Sequence, residues 1–374
     1  MQINSNTTGM AAGLSVAPDK DGRDHCVVVV KGTFAIGAEG EPRLAEEQAP
    51  LVYTDEHWGD PATTSIRYEC DFAPSKPRTD ILVNGMAFAP RGKPVERITV
   101  AIELAGGRKE LLVIGDRHWF MGAAGMGISQ PAPFVTMPIT FDRAFGGIDD
   151  SRPEQTAAEL RNLVGRGFWK HAERRRIEGT PLPNVEDPHH PLRSLGETPP
   201  PAGFGVVGRG WRPRIGFAGT YDQRWIDEKF PFLPDDFDPR YFQSAPADQQ
   251  VSGLRGGESI RCTNMTPDGV LETRVPQENV PVEFVFRDRK ERAEGRLDTV
   301  LLEPHERRMM VTWRASVPLG RKLNALREVN VGKKPVSTAV RVTAETRDAL
   351  PPGVKPHFAS LDEYITWKRK QMGR

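Results

Sequence analysis

The sequence has few cysteines, no long apolar run and no excess of charge of either sign. Its three cysteines, Cys26, Cys70 and Cys262, are scattered, and none belongs to a C-x-x-C motif. A sparse, odd set of cysteines is typical of a protein kept reduced, so we expect a cytoplasmic location. The N-terminal segment MQINSNTTGM has neither the basic nor the apolar region of a secretory signal, which agrees with that expectation.

The apolar runs and the charge balance exclude two classes of partner. The longest apolar runs, such as Val27–Val30, are far shorter than the roughly 20 residues that a membrane helix needs. Lysine and arginine number 51 against 50 aspartates and glutamates, which gives a formal charge of +1 and no net field for polyanions. We therefore expect neither membrane insertion nor nucleic acid as the main partner.

Proline and glycine, in contrast, are abundant. The 33 prolines and 36 glycines make up about 18% of the chain, against roughly 12% in average proteins. Aromatic and aliphatic residues are nevertheless spread along the chain and can build a core. The composition therefore predicts a folded, soluble protein that is rich in loops.

The N-terminal third predicts β-structure. His25–Ile36 is rich in valine, and Asp80–Pro90 is a second predicted strand. Apolar residues alternate with polar ones over Ile98–Leu104, and a turn at Gly106 leads into Glu110–Ile114, which predicts a hairpin. The expected arrangement is a mainly antiparallel sheet.

The β signal returns after residue 250. Val282, Phe284 and Phe286 alternate with their neighbours, and a turn joins Leu297–Leu302 to Met309–Ala315. We therefore predict a mainly β protein with antiparallel, sandwich-like sheets. A capping-box spacing at 360–363 predicts a short C-terminal helix.

Four regions divide the chain. We predict an N-terminal β region at 1–120, a loop-rich middle at 121–250, a C-terminal β region at 251–345 and a tail with the short helix at 346–374. We expect one integrated domain, and the alternative of two separate sheets stays open. Within the middle, Gly122–Gly127 is predicted to be flexible, Ser151–Leu163 to be helical and Thr198–Pro201 to be a linker.

The segment Ala218–Gln250 has neither helical nor strand periodicity. It contains four prolines, which forbid a continuous helix, and several carboxylates. Its rings are Tyr221, Trp225, Phe230, Phe232, Phe237, Tyr241 and Phe242. We expect roughly two in three of these rings to lie in the core and to pin an irregular loop to the β scaffold.

Two groups of residues are candidates for catalysis or metal binding. Asp235, Asp236 and Asp238 have the residue type of a general acid and base or of calcium ligands, but aspartates next to prolines usually cap turns. Glu186–His190 combines carboxylates with imidazoles, as zinc and iron sites do, yet it also resembles a polar turn around a proline. A hydrolase that uses either group is one alternative function, although we favour the turn interpretation.

The remaining candidates are weaker. His57 and His118 each lie beside carboxylates and a tryptophan and are candidate general bases, but no nucleophile motif accompanies them. A carbohydrate-binding β module with exposed rings such as Trp211 and Trp225 is a second alternative. No cofactor motif is present, so we expect no catalytic residue, no cofactor and no metal.

An ordered series of short motifs runs through the chain, from DEHWGDP at 55–61 through GDRHW at 115–119 and LPNVEDP at 182–188 to GTYD, LPDDFD and APADQ between 219 and 249. The motif positions are Trp58, Asp60, Pro61, Arg67, Asp71, Lys76, Pro77, Asp80, Gly115, Asp116, Arg117, Trp119, Phe145, Gly146, Gly147, Asn184, Glu186, Asp187, Pro188, Gly219, Thr220, Tyr221, Asp222, Trp225, Pro234, Asp236, Phe237, Asp238, Asp248 and Gln249.

This series resembles a bacterial domain family of unknown function that is encoded in type VI secretion clusters, over roughly residues 20–300. The resemblance implies a non-enzymatic adaptor or chaperone that stabilises an effector and loads it onto the secretion spike. The implied partners are an effector, including those that carry a PAAR domain, the VgrG spike protein and pentapeptide-repeat proteins. Cys70 stands where the family often has serine. The resemblance implies no catalytic residues, and the motif positions are either structural or partner-binding.

Overall fold

The structure is a computed structural model, and it describes residues 2–123, 125–171, 173–320 and 325–333. Among these residues the protein is mainly β, with two short α-helices and several 3-10 turns. The predicted mainly β class is therefore confirmed. The C-terminal helix predicted from the spacing at 360–363 lies outside the described residues. No helix in the described ranges combines the length and apolarity needed to cross a membrane.

The strands follow one another along the whole described chain. In chain order they are β1 Ile3–Asn6, β2 Ala11–Pro18, β3 Asp24–Ile36, β4 Pro42–Leu44, β5 Glu56–His57, β6 Ile66–Tyr68, β7 Thr79–Val83, β8 Gly85–Phe88, β9 Arg97–Leu104, β10 Gly107–Ile114, β11 Trp119–Gly122, β12 Gly125–Ile128, β13 Thr136–Ile139, β14 Phe145–Gly146, β15 Ile148–Asp149, β16 Ala157–Ala158, β17 Arg166–Gly167, β18 Val185–Glu186, β19 Gln250–Val251, β20 Ser259–Thr263, β21 Val270–Arg274, β22 Pro281–Phe286, β23 Lys290–Glu294, β24 Arg296–Glu303, β25 Arg308–Pro318 and β26 Leu326–Val331.

Helical elements are short. The α-helices are α1 Arg174–Ile177 and α2 Gln223–Glu228. The 3-10 turns are Pro90–Gly92, Phe141–Arg143, Pro153–Gln155, Arg214–Phe217, Pro239–Phe242, Ala247–Gln249 and Pro304–Glu306.

Three larger sheets organise the unit of the chain that ends at Gly332. The seven-stranded sheet has the order β19-β7-β24-β25-β3-β2, with β4 paired to β3. The five-stranded sheet has the order β18-β10-β9-β20-β21, and the four-stranded sheet has the order β1-β26-β22-β23. Most pairs are antiparallel, but β24 pairs with β7, and β1 with β26, in parallel. Strands from before residue 121 thus pair directly with strands from after residue 250.

One apolar core connects the three sheets. Val30 of β3 and Trp313 of β25 lie opposite each other in register and are both buried. They share this core with Val100 of the five-stranded sheet and Phe284 of the four-stranded sheet. The alternation that predicted β9 and β22 arises because every second side chain of these strands points into this core. The hairpins at 97–114 and 296–318 are confirmed.

Three predictions for local structure are wrong. The predicted strand Asp80–Pro90 is interrupted at Asn84, whose N–H donates to Leu302 O and whose side chain donates to Arg67 O, so the chain leaves the sheet there. The predicted flexible tract Gly122–Gly127 contributes residues to the hairpin of β11 and β12. There Phe120 pairs with Gly127, and the Phe120 ring packs over this glycine because it has no side chain. Ser151–Leu163 is not a helix.

The segment 151–163 folds differently because local side chains bind its backbone. Ser151 N donates to Asp149 Oδ1 at 3.1 Å, and Arg161 N donates to Glu159 Oε1 at 3.0 Å. Both bonds stabilise turns at the expense of helical hydrogen bonds. Between these two turns lies β16, which pairs with β15.

Candidate functional site

The second face of the seven-stranded sheet is polar, although loops cover it. On this face Lys31 of β3 lies opposite Thr312 of β25. Leu82, Leu301 and Met310 form a small apolar cluster there with loop residues that include Ile66, Val206 and Ala245. The segments around 49–76 and 204–249 therefore exclude water from this face, and we call it the charged face.

Lys76 and Asp80 form the centre of the charged face. The Lys76 Nζ lies 2.7 Å from Asp80 Oδ2 and also donates to the hydroxyls of Thr299 at 3.1 Å and Ser244 at 3.3 Å. Asp80 is fully buried and accepts further bonds from Gln243 Nε2 and from Ser244 N. Burial opposes the charged form of Asp80, but Lys76 and these donors hold the pKa of Asp80 below its ordinary value.

A second set of buried charges surrounds this pair. The Glu69 carboxylate pairs with the guanidinium groups of Arg209 and Arg214. Burial opposes ionisation, yet Arg214, Lys76 and Arg209 together lower the pKa of Glu69. On the sheet itself, Arg314 Nε donates to Asp298 Oδ2 at 2.6 Å. The charges are therefore compensated in pairs, which is the condition under which burial of ions is tolerated.

The edge of the charged face is completed by Glu303 and Asp71. Tyr68 donates its hydroxyl to Glu303 Oε1 at 2.5 Å, and burial together with that carboxylate raises the pKa of Tyr68 to about 12. Glu303 also pairs with Arg308. Asp71 accepts from Lys31 Nζ at 2.6 Å and from Val52 N at 2.7 Å, so it ties a covering loop to the sheet.

Ten of the motif positions lie on this face or in its cover. Arg67 stacks over the Trp58 ring, with 4.6 Å between the guanidinium carbon and the ring centroid. Gln249 donates to Ile81 O at 2.7 Å and to Phe204 O at 3.0 Å. The complete set is Trp58, Asp60, Pro61, Arg67, Asp71, Lys76, Pro77, Asp80, Asp248 and Gln249.

A second group of motif positions builds the junction of β10 with the segment that precedes β18. Asn184 donates to Ile114 O at 3.0 Å and to Asp116 Oδ1 at 3.0 Å. Arg117 bonds to Pro183 O at 2.7 Å and to Glu186 Oε1 at 2.6 Å. The complete set is Gly115, Asp116, Arg117, Trp119, Phe145, Gly146, Gly147, Asn184, Glu186, Asp187 and Pro188.

A single methyl group added at Gly115, in this junction, is expected to lower the stability of the protein strongly. A Cβ at position 115 would lie 1.8 Å from Ala132 O, a backbone atom that cannot move aside. We expect Gly115→Ala to lower the free energy of unfolding by about 3 kcal/mol, measured by urea denaturation. Gly210→Ala is the matched control, because nothing lies within 4 Å of its Cβ position. Equal stabilities of the two variants would contradict the packing of this junction.

A third group of motif positions organises the aromatic segment after Gly219. Asp236 accepts from Thr220 N at 2.9 Å and from Thr220 Oγ1 at 2.8 Å, which closes the base of the segment. Asp222 caps α2 by accepting from Trp225 N at 2.9 Å. The complete set is Gly219, Thr220, Tyr221, Asp222, Trp225, Pro234, Asp236, Phe237 and Asp238.

The expectation that most rings of this segment are buried is wrong. Of the seven rings only Phe237 is buried, and Trp225, Tyr241 and Phe242 are half-buried. The segment is stabilised by turn caps and by contacts among its own rings, so insertion into the core is not required. Tyr221 and Phe230 both make edge contacts with Trp225, at centroid distances of 4.7 Å and 5.6 Å.

The exposed rings form an apolar surface that we call the aromatic patch. It consists of Tyr221, Trp225, Ile226, Phe230 and Phe232, and the exposed fractions of Tyr221, Ile226, Phe230 and Phe232 are 52%, 54%, 67% and 46%. Trp225 Nε1 donates to Phe232 O at 2.8 Å, which fixes the return of the chain. Isolated exposed apolar residues are ordinary, whereas contiguous exposed apolar patches are typical of interaction sites.

A groove of about 590 Å³ opens beside the covering loops, and we call it the proline-rich groove. Its walls come from the segments 77–78, 200–207, 212–217 and 240–250, together with Lys109, Phe141 and Arg161. Lys109 reaches Asp248 Oδ1 at 2.9 Å and Gln249 Oε1 at 2.7 Å, so the groove is joined to the cover of the charged face. The predicted linker Thr198–Pro201 contributes two of its prolines.

The aspartates proposed for catalysis all have partners. Asp238 accepts from Arg240 N at 2.9 Å and pairs with the same arginine, whereas Asp235 forms an ion pair with Lys229 at 2.7 Å. Asp236 accepts from Thr220 N. The preferred interpretation as turn caps is therefore confirmed for Asp236 and Asp238.

The Glu186–His190 run also has local partners. Glu186 is buried against Arg117, and burial raises the pKa of Glu186 in spite of that arginine. Asp187 accepts from His189 N and lies 2.9 Å from His190 Nδ1, the geometry of a polar turn. Within the described ranges, no three histidine, cysteine, aspartate or glutamate side chains are grouped closely enough to hold a metal ion.

Of the other candidates, His57 is hydrogen-bonded, His118 is exposed and Trp211 is buried. His57 Nδ1 lies 2.9 Å from Thr64 O. Trp211, named as an exposed ring for carbohydrate binding, is only 7% exposed and makes an edge contact with Phe141 at 5.5 Å. The expected exposure of Trp211 is thus wrong, whereas Trp225 is half-exposed in the aromatic patch.

Residues 21–314 match the model of a bacterial protein family, and this range includes all three groups of motif positions. The chain belongs to the DUF2169 family. The description of the family is "uncharacterized protein conserved in bacteria". No curated protein and no solved structure is detectably similar to this DUF2169 chain.

Sequence reasoning missed several residues of these sites. Arg314 of the charged face carried a usable signal, because Thr312 and Arg314 alternate with apolar residues along β25. Glu69 and Asp298 lie outside β25 and had no such signal. Arg78 and Arg212 of the groove had no such signal, since separate segments of this DUF2169 protein bring them to one cavity.

Proposed function

We propose that this DUF2169 protein is a non-enzymatic adaptor that binds and stabilises an effector of a type VI secretion system. In this proposal it helps to load the effector onto the VgrG and PAAR spike in the cytoplasm, with a pentapeptide-repeat protein as a further partner. The observation that carries the proposal is the aromatic patch, where Tyr221, Trp225 and Phe230 contact one another and the exposed Ile226 and Phe232 lie on the same segment. The resemblance of the motif series supplies the secretion context.

The patch has the composition of a protein interface. Tyrosine, tryptophan and phenylalanine dominate the energetics of such interfaces because their rings bury a large area at a small cost in conformational entropy. Charged side chains such as Arg224, Glu228 and Lys229 lie at its edge and supply a polar rim. The cap at Asp222 and the closure at Asp236 fix the loop before a partner arrives, which lowers the entropic cost of binding.

The state of the carboxylates supports a binding role. Asp236 and Asp238 accept backbone N–H groups, Asp235 forms an ion pair with Lys229, and Glu186 is buried against Arg117. A hydrolase needs a carboxylate within reach of a substrate. No contact in the described part of the chain favours the hydrolase hypothesis over the adaptor.

Co-expression tests the proposal directly. We expect the effector encoded beside this gene to be more soluble when the two proteins are produced together, and to co-purify with it as a stable complex. The reason is that the effector's apolar surface is covered by the aromatic patch before assembly. The measurement is the soluble effector yield with and without the DUF2169 protein, followed by size-exclusion chromatography. An unchanged yield with no complex would contradict the proposal.

A further inference from the structure

The proline-rich groove has apolar walls and an uncompensated positive charge. Its apolar lining comes from five prolines and from Phe141 and Phe217. The side chain of Arg240 lies over the Phe217 ring at 4.3 Å and closes one wall. Within the described residues this groove shares no lining residue with the aromatic patch, so it is a separate surface.

The charge of the groove is one-sided. Its lining includes Arg78, Lys109, Arg161, Arg212, Arg214 and Arg240, and no aspartate or glutamate among the described residues lines it. Four of these cations pair with carboxylates that do not line the groove. The pairs are Lys109 with Asp248, Arg161 with Glu159, Arg214 with Glu69 and Arg240 with Asp238.

Arg78 and Arg212 differ from these four. Both are exposed, and among the described residues neither guanidinium group has a side-chain or backbone partner. Each guanidinium group offers a planar set of N–H donors, which can bind a carboxylate through two parallel hydrogen bonds. In a concave site with low-polarity walls, such charges attract anions more strongly than they would on an open surface.

We infer that the proline-rich groove binds an acidic, extended peptide segment of a protein partner. The carboxylates of the segment pair with Arg78 and Arg212, and its apolar side chains lie against the prolines and Phe217. Proline-lined and aromatic-lined grooves suit extended chains, because such chains present side chains without helical or sheet partners of their own.

A single-stranded nucleic acid fits the groove less well. Non-specific binding of nucleic acid draws its affinity from many phosphate contacts, and bases stack on exposed aromatic faces. Among the described residues of the groove only two cations are unpaired, and the face of Phe217 is already covered by Arg240. The volume of about 590 Å³ is also that of a site for a few side chains.

The test uses two fluorescein-labelled octapeptides, one with four glutamates alternating with four leucines and one with glutamine in place of each glutamate. Fluorescence polarisation measures their binding to the full-length protein. We expect the glutamate peptide to bind at least tenfold more tightly than the glutamine peptide, and added salt to weaken it. Arg78→Gln and Arg212→Gln should each weaken it about tenfold, the value of one charged hydrogen-bonded contact.

Arg43→Gln is the matched control, since Arg43 is exposed and lies outside the groove. All three variants should keep the wild-type unfolding temperature. The inference is overturned if the glutamate peptide does not bind at about 1 mM, if both peptides bind equally, or if the two groove variants behave like Arg43→Gln. Tighter binding of a labelled oligothymidylate, lost in the same two variants, would assign the groove to nucleic acid instead.

Discussion

Replacing Lys76 by methionine is expected to lower the free energy of unfolding by about 3–5 kcal/mol. The substitution keeps the length of the side chain and removes its charge. Asp80, 2.7 Å away, and Glu69, 3.9 Å away, then lose a buried counterion. A loss of this size is a large part of the roughly 5–15 kcal/mol that stabilises a typical domain. Urea denaturation followed by tryptophan fluorescence measures it.

The control for this prediction is an exposed lysine. Lys93→Met should change the free energy of unfolding by less than about 0.5 kcal/mol, because Lys93 lies on the surface. Adding Asp80→Asn to Lys76→Met should cost less than the sum of the two single substitutions, since the second change removes a charge that the first left unpaired. Strict additivity, or a Lys76→Met protein as stable as wild type, would show that the charged face is not held by this pair.

The aromatic patch carries the second large expected effect. Ile226→Ala and Phe230→Ala together should weaken binding of the effector at least about 30-fold, which corresponds to the 2 kcal/mol or more of an interface hot spot. Both side chains are more than half exposed, so their truncation removes little packing inside the protein. The dissociation constant of the purified complex, measured by calorimetry, is the observable.

Tyr53→Ala is the matched control for the patch. Tyr53 is 72% exposed, and its ring stacks on Phe72 at 4.9 Å rather than on a ring of the aromatic patch. It tests whether the loss of any exposed ring lowers affinity. If Tyr53→Ala weakens the complex as much as the double substitution does, the patch is not the specific interface.

The regular part of the fold could be predicted from the sequence because side-chain periodicity is a local property. The β3 run and the alternation in β9 and β22 report directly which side chains face the core. The break at Asn84 and the turns around Asp149 could not be read in this way. The break at Asn84 depends on hydrogen bonds to Leu302 and Arg67, which are distant in sequence. Asp149 accepts not only from the nearby Ser151 N but also from the distant N–H groups of Lys170 and His171.

The candidate sites were predicted less completely than the strands. Asp236 and Asp238 were correctly interpreted as capping residues, because aspartate near proline has a strong local preference for turns, whereas the ion pair of Asp235 with Lys229 was not predicted. The exposure of Phe230 and Phe232 was not predicted, since ring content alone does not distinguish a core from an interface. Arg78 and Arg212 illustrate the same limit, because only the tertiary fold brings them to one groove.

Site-specific photo-crosslinking tests the central claim, that the aromatic patch receives a secretion effector. Benzoylphenylalanine would replace Phe230 in cells that carry the complete gene cluster. In a parallel strain it would replace Tyr53 instead. The account predicts a covalent adduct with the effector from position 230 and none from position 53. Adducts with the effector from position 53 only, or from neither position, would contradict it.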